Sequence, residues 1–146
     1  MAIFHCQVKV VSRGSKSKNG LVAGRSSVAA AAYRSGTSLH NEREGKTYDF
    51  SRRSGVVCAD IVIPKGSGAE WALNRSVLWN AVEAKESRKD SRVAREFEIA
   101  LPHELDESQR EELTRRFAQQ LADRFKTAVD FAIHKPDPRG SEKNHH

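Results

Sequence analysis

Two short stretches of this chain hold residue types that can handle a phosphodiester. His134 closes the apolar run AVDFAIH, a turn-rich KPDPRGSEK follows, and Asn144-His145-His146 stands where a second strand should begin. Imidazoles at the ends of neighbouring strands can come within ligand distance of one divalent ion. Upstream, Tyr33 lies in an alanine-rich segment, SSVAAAAYRSG, bracketed by Arg25 and Arg34. A tyrosine oxygen in an electropositive setting is suited to attack on a phosphate. Taken singly, each has an ordinary alternative: His134 as a hydrogen-bonded strand residue, Tyr33 as a helix anchor, His145-His146 as a tag remnant. Glu96 is equally a solvated strand residue or, beside a ligating histidine, the carboxylate that orients an imidazole. Tyr48, in a polar connector, is the weaker candidate for nucleophile.

The elements that must position these residues follow from periodicity. IFHCQVKVV (3–11) alternates, with Phe4, Cys6, Val8 and Val10 on the dry side and His5, Gln7 and Lys9 on the wet side. SRGSKSKNGLVAGRSS (12–27) has no period and is long for a simple connection. Ser26 or Ser27 caps a helix that Gly36 stops. The polar segment 40–55 reads as a surface connector, and VVCADIVIP (56–64) as a strand ended by Pro64. A second helix is expected from about Glu70 to Arg88, with Trp71, Leu78 and Val82 on its apolar side. AREFEIALP (94–102) alternates, with Phe97, Ile99 and Leu101 inward and Glu96 and Glu98 outward. Asp106-Glu-Ser-Gln109 is a capping-box pattern opening a third helix, which carries Leu113, Phe117, Leu121 and Phe125. A strand over 128–134 leaves Asp130 and His134 on its polar side, and a further strand begins at His146. Alternating strands imply a mainly antiparallel sheet with helices packed on one face, an α+β fold. The helix-free face would gather His5, Glu96, Glu98 and His134.

The 146 residues fit a single domain. An excess of 25 Lys+Arg over 19 Asp+Glu, net charge +6, favours a polyanionic partner, although a merely soluble basic surface produces the same number. The two cysteines, Cys6 and Cys58, lie in apolar runs and read as reduced core residues of a cytoplasmic protein. No apolar run approaches the ~20 residues of a membrane span, and no membrane insertion is expected.

Together these stretches resemble the MobA/MobL-type plasmid mobilisation relaxases, of the histidine-hydrophobe-histidine nuclease group, over nearly the whole chain. MAIFHCQVKVVSR looks like that family's first strand, SSVAAAAYRSG like its nucleophile helix, AREFEIALPHEL like its second motif and AIH…NHH like the start of its metal motif. The resemblance implies a relaxase/Rep-like fold related to the ferredoxin-like class. It implies Tyr33 as nucleophile, Glu96 as support for the metal histidines, and His134 and His146 as ligands of a divalent ion, magnesium or manganese. The family pattern runs on to a third histidine, so residues 1–146 are expected to be a nicking domain cut within its metal motif. The activity implied is strand-specific nicking and rejoining of single-stranded DNA at a plasmid origin of transfer, through a 5′-phosphotyrosyl intermediate. Accessory relaxosome proteins and a type IV secretion coupling protein are the implied partners, in a bacterial cytoplasm. Arg13, Lys16, Lys18, Arg25 and Arg34 cluster near the nucleophile in sequence and are expected to contact the DNA. Two other functions use similar parts: a rolling-circle replication initiator, and a non-catalytic module binding single strands by stacking. The last should show aromatics on the sheet face, where this chain has His5, Gln7, Glu96 and Glu98.

Overall fold

The computed structural model describes residues 5–14, 26–137, 139 and 145–146. The elements run β1 (Cys6–Ser12), α1 (Ser27–Ser35), β2 (Ser38–Asn41), β3 (Lys46–Asp49), β4 (Val56–Val62), α2 (Arg75–Lys85), β5 (Arg92–Ile99), α3 (Glu107–Phe125) and β6 (Val129–His134). All strand pairs are antiparallel: β1 with β5, β2 with β3 and β4 with β6. Residues 145–146 join the first pair to the third. The Leu101 amide donates to the His145 carbonyl at 2.7 Å, and the His134 amide to the His146 carbonyl at 2.6 Å. The mainly antiparallel α+β architecture expected from alternation is therefore present, and the short segment at 145–146 holds its middle.

The register sets the two faces, because side chains alternate along each strand. On β6, Phe131 packs with Val62, Ala118 and Ala122, which brings α3 onto that side. Asp130 and His134 point to the opposite side. There Asp130 accepts both Arg75 nitrogens, at 2.8 and 2.9 Å, and the Trp79 indole at 2.8 Å, which anchors α2. Helices thus lie against both faces instead of one. The face carrying Glu96 and His134, expected to be bare, is met by α1. Its four alanines make almost no apolar stripe, so the segment gave little sign of packing on a polar strand face.

Local signals explain the helix ends. Ser26 accepts from the Ala29 amide at 3.3 Å, and Gly36 takes the left-handed conformation (φ 64°) that closes α1. A Cβ on Gly36 would also meet Val56 Cγ2 at 3.0 Å, so the helix end and β4 fit only without a side chain there. The capping box is formed, with Asp106 accepting from the Gln109 amide at 2.8 Å and Gln109 from the Asp106 amide at 3.0 Å. The expected helix 70–88 is instead broken into a 3₁₀ turn, Glu70–Leu73, and α2. Asn74 caps α2 through the Val77 amide at 3.1 Å, a stronger start signal than the continuous apolar spacing. Trp71 falls before the cap and is 55% exposed.

Two further expectations change. The expected connector 40–55 is largely taken up by the β2–β3 hairpin, which begins before it at Ser38; Leu39 and Asn41 are buried, while Tyr48 and Phe50 pack on the α1 cluster. Strands of four residues carry too few alternations to stand out in a polar segment. On β1, Val8 and Val10 are exposed and Val11 is buried. The α3 helix covers β4 and β6, whereas Phe97 on β5 stays 36% exposed, with the Phe117 ring centroid 6.5 Å away, so the outer strand lies beyond the helix. Cys6 is exposed for the same reason, and Cys58 is half-buried. Among the described residues no helix is long and apolar enough to cross a membrane.

The α1 helix is held at its start by a buried carboxylate from α2. Glu83 is 1% exposed; it accepts the Ser27 amide at 2.8 Å, the Ser27 hydroxyl at 2.6 Å and Arg13 Nε at 2.8 Å. Arg13 also donates to the carbonyls of Glu83 and Glu86, capping the end of α2. Burial alone would raise the Glu83 pKa, but the Ser27 bonds and the Arg13 charge bring it below the ordinary value. Removing Arg13 leaves buried Glu83 with only the more distant, half-exposed Arg43 at 3.6 Å as counter-charge, so Arg13→Ala should cost about 3 kcal/mol of stability, measured by urea unfolding at neutral pH. A depressed carboxyl pKa stabilises the fold above the unfolded-state value and ceases to do so as pH falls through the lower folded value. Stability of the wild type should accordingly fall more steeply below about pH 4.3 than that of Glu83→Gln.

Candidate functional site

Tyr33 occupies the last turn of α1 and is 41% exposed. Phe50, just after β3, meets its ring edge-on, with centroids 5.3 Å apart and planes at 87°. The Arg53 guanidinium lies over the ring, 3.9 Å from the centroid, and the Arg34 guanidinium stands 5.4 Å away. Both cations are attracted to the ring by its quadrupole. Tyr33 opens onto a cleft of about 460 Å³ lined also by Lys9, Ser26, Arg34, Tyr48 and Glu96.

His134, at the end of β6, is 7% exposed. Its Nε2 lies 2.8 Å from the Arg34 carbonyl, which can only accept, so Nε2 carries the proton and Nδ1 the lone pair. Burial is the main cause that lowers its pKa below the usual imidazole value, with the charges of Arg53, His146 and Arg34 adding to it; the bond to the carbonyl opposes them. The neutral ring is the form that binds metals. His146 is its direct cross-strand neighbour, with ring centroids 5.4 Å apart and tilted by 49°. At that spacing two imidazoles can approach a common ion at metal–nitrogen distances of about 2.0–2.1 Å. Among the described residues no cluster of three or more His, Cys, Asp and Glu side chains is present.

Glu96 is brought into the same cleft, where it forms an ion pair with Arg34. The orienting bond expected from Glu96 to a histidine is not among its contacts in the described residues. On the same side of β5, Glu98 accepts from Lys9 at 2.7 Å, and that bond leads the causes holding its carboxyl below the ordinary range, with His146 and Arg34 contributing. Arg34 remains at the cleft as expected. Arg13 does not: its 5% exposure and its bonds to Glu83 make it a structural residue with no surface for DNA. A basic loop pattern cannot reveal a buried counter-charge more than sixty residues away. Lys16, Lys18 and Arg25 lie outside the described residues, as does Asn144.

Sequence reasoning missed Arg53, which reads as one half of a solvated Arg52-Arg53 run. Its Nη1 donates to the Tyr33 carbonyl at 2.5 Å and lies 3.4 Å from His134 Nε2, so it connects the tyrosine to the histidine. Only the fold reveals it, because Gly55 accepts from the Lys135 amide and Val56 pairs with His134, which carries the preceding loop to the site.

Residues 25–146 match the MobA/MobL family. The chain is 41% identical over 136 residues to Mobilization protein MobL of Acidithiobacillus ferridurans, covering 93% of this chain and 33% of that protein. It is 34% identical over 146 residues to Probable mobilization protein MobA of Bifidobacterium longum, covering 100% of this chain and 24% of that one. A solved structure described as "Molecular Basis of Vancomycin Resistance Transfer in Staphylococcus aureus" aligns with a TM-score of 0.82 and 33% sequence identity, over 99% of this chain and 67% of that chain. The chain thus spans a third or less of the length of these two mobilization proteins.

The second tyrosine is tied differently. The Tyr48 hydroxyl donates to Glu44 Oε2 at 2.6 Å, and this bond, followed by burial and the Glu44 charge, raises its pKa to about 12. A raised acid pKa stabilises the fold up to the unfolded-state value and is lost as pH rises through the folded one. In an alkaline ultraviolet titration one tyrosine should ionise near pH 12, and Tyr48→Phe should remove that step.

Proposed function

Since the chain belongs to the MobA/MobL family, we propose that it is the nicking domain of a plasmid mobilisation relaxase, cutting and rejoining one DNA strand through Tyr33. The observation that carries this reading is the placement of Arg53, whose guanidinium meets the ring and carbonyl of Tyr33 and lies 3.4 Å from His134, with His146 beside that histidine. The names of the mobilization proteins it resembles favour an origin of transfer as the target over a replication origin. Paired carboxylates at the cleft, Glu96 with Arg34 and Glu98 with Lys9, favour catalysis over a stacking platform. Relaxosome proteins and a secretion coupling protein are the partners such a role calls for.

In the reaction proposed, the Tyr33 oxygen forms a bond to phosphorus while the phosphorus–O3′ bond breaks. The electron pair leaves with O3′, which takes up a proton as Tyr33 gives one up. A 5′-phosphotyrosyl linkage and a free 3′-hydroxyl remain, and because one ester replaces another the step can be reversed to rejoin the strand. Arg34 and Arg53 supply positive charge where the phosphate must lie. His134 through Nδ1, and His146, would hold a divalent ion, with manganese or a similar transition ion better matched to nitrogen donors than magnesium. Such an ion polarises a non-bridging oxygen and offsets charge in the transition state. Glu96 sets the position of Arg34 through their ion pair, and Arg34 in turn presents its carbonyl to His134.

Tyr33→Phe should abolish a covalent protein–DNA adduct on denaturing gels while single-strand binding persists, since the ring and both cation contacts are retained. An adduct formed by that variant at the wild-type level would contradict the assignment. In calorimetric titrations with manganese, His134→Ala and His146→Ala should each weaken binding by at least tenfold, about 1.4 kcal/mol; unchanged affinity in both would remove the histidine pair from the metal site.

A further inference from the structure

Arg53 sits at the centre of the cluster without a role in any motif. Its position is built by three independent contacts. The turn bond from its amide to the Phe50 carbonyl, 2.9 Å, fixes the backbone, the bond to the Tyr33 carbonyl fixes Nη1, and the ring of Tyr33 receives the guanidinium plane at 3.9 Å. A guanidinium has five N–H donors, and Nη1 gives one to Tyr33. His134 Nε2 already carries a proton donated to Arg34, so the 3.4 Å approach of Arg53 is a contact between two donors and not a hydrogen bond. Two proton-bearing groups facing each other beside a tyrosine leave donors available to an acceptor. Among the described residues Arg53 has no carboxylate partner within ion-pair distance, whereas Arg34 has Glu96 and Arg13 has Glu83. A half-buried guanidinium set against the candidate nucleophile, with no carboxylate partner among the described residues, matches an oxyanion that arrives with the substrate.

We propose that Arg53 is a catalytic residue that binds the non-bridging oxygen of the scissile phosphate, stabilising the charge that develops as Tyr33 attacks. The assignment rests on the nicking reading above. Tyr33 and Arg53 then form one unit: the ring positions the guanidinium, and the guanidinium draws the phosphate toward the tyrosine oxygen.

The test uses Arg53→Lys and Arg53→Met in the intact chain, with Arg52→Met as the exposed neighbour control. A labelled random-sequence single-stranded library is incubated with the wild type and manganese, and the oligonucleotide captured covalently becomes the substrate. Arg53→Met should form the adduct about 10²-fold more slowly, the scale of one lost oxyanion donor. Arg53→Lys should recover part of the rate, and Arg52→Met should equal the wild type. The slope of log affinity against log salt should fall by roughly 0.7 in Arg53→Met alone. With an uncharged methylphosphonate at the mapped scissile position, wild type and Arg53→Met should bind equally well. Wild-type rate and slope in Arg53→Met, or equal losses in the Met and Lys variants with the slope unchanged, would overturn the role of Arg53 and leave the nicking reading standing. No adduct with the wild type would overturn both.

Discussion

A single buried carboxylate constrains the layout of this molecule. Glu83 meets the start of α1 through Ser27, where unpaired amides and the helix dipole favour a negative charge, and it meets the end of β1 through Arg13. Arg13 completes the junction by capping α2. The start of α1, the end of α2 and the end of β1 are thereby fixed to one another. With its N-terminus fixed, α1 runs over the polar strand face and delivers Tyr33 at its far end. Ser26, which caps the helix, also accepts from Asn41 at 2.7 Å, so the hairpin is tied to the same junction.

The other end of α1 is fixed by the sheet. His134 presents its side chain to the Arg34 carbonyl while its backbone pairs with His146, so one residue links the helix terminus to the strand segment in the middle of the sheet. Arg53 approaches from the loop before β4 and closes the same corner. Candidate nucleophile, candidate ligands and the bridging cation therefore come from four separate parts of the chain, all referred to one strand register. A one-residue slip in β4–β6 would turn His134 to the opposite face.

What the sequence disclosed follows a physical division. Features set by neighbours in the chain were readable, the Ser26 and Asp106 caps and the stop at Gly36, whereas Phe97, read as inward, is 36% exposed. Features set by distant partners were not. Nothing in SRGSK shows that Arg13 will be buried against Glu83, since that depends on where α2 ends. Arg53 looks like surface charge until the β4–β6 register brings its loop to Tyr33. The hairpin and the placement of α1 on the polar face were hidden because four-residue strands and alanine runs carry almost no hydrophobic pattern.

In the proposed reaction the Tyr33 oxygen becomes ester-linked to the DNA phosphate, and peptide mapping of the covalent product tests this directly. After reaction with a captured single-stranded oligonucleotide, nuclease trimming and trypsin would leave the two tyrosines in separate peptides, 26–34 and 47–52. The account predicts a phosphonucleotide mass on the peptide 26–34, fragmenting to place the group on Tyr33. The same mass on the peptide that contains Tyr48, or an adduct on neither tyrosine, would contradict it.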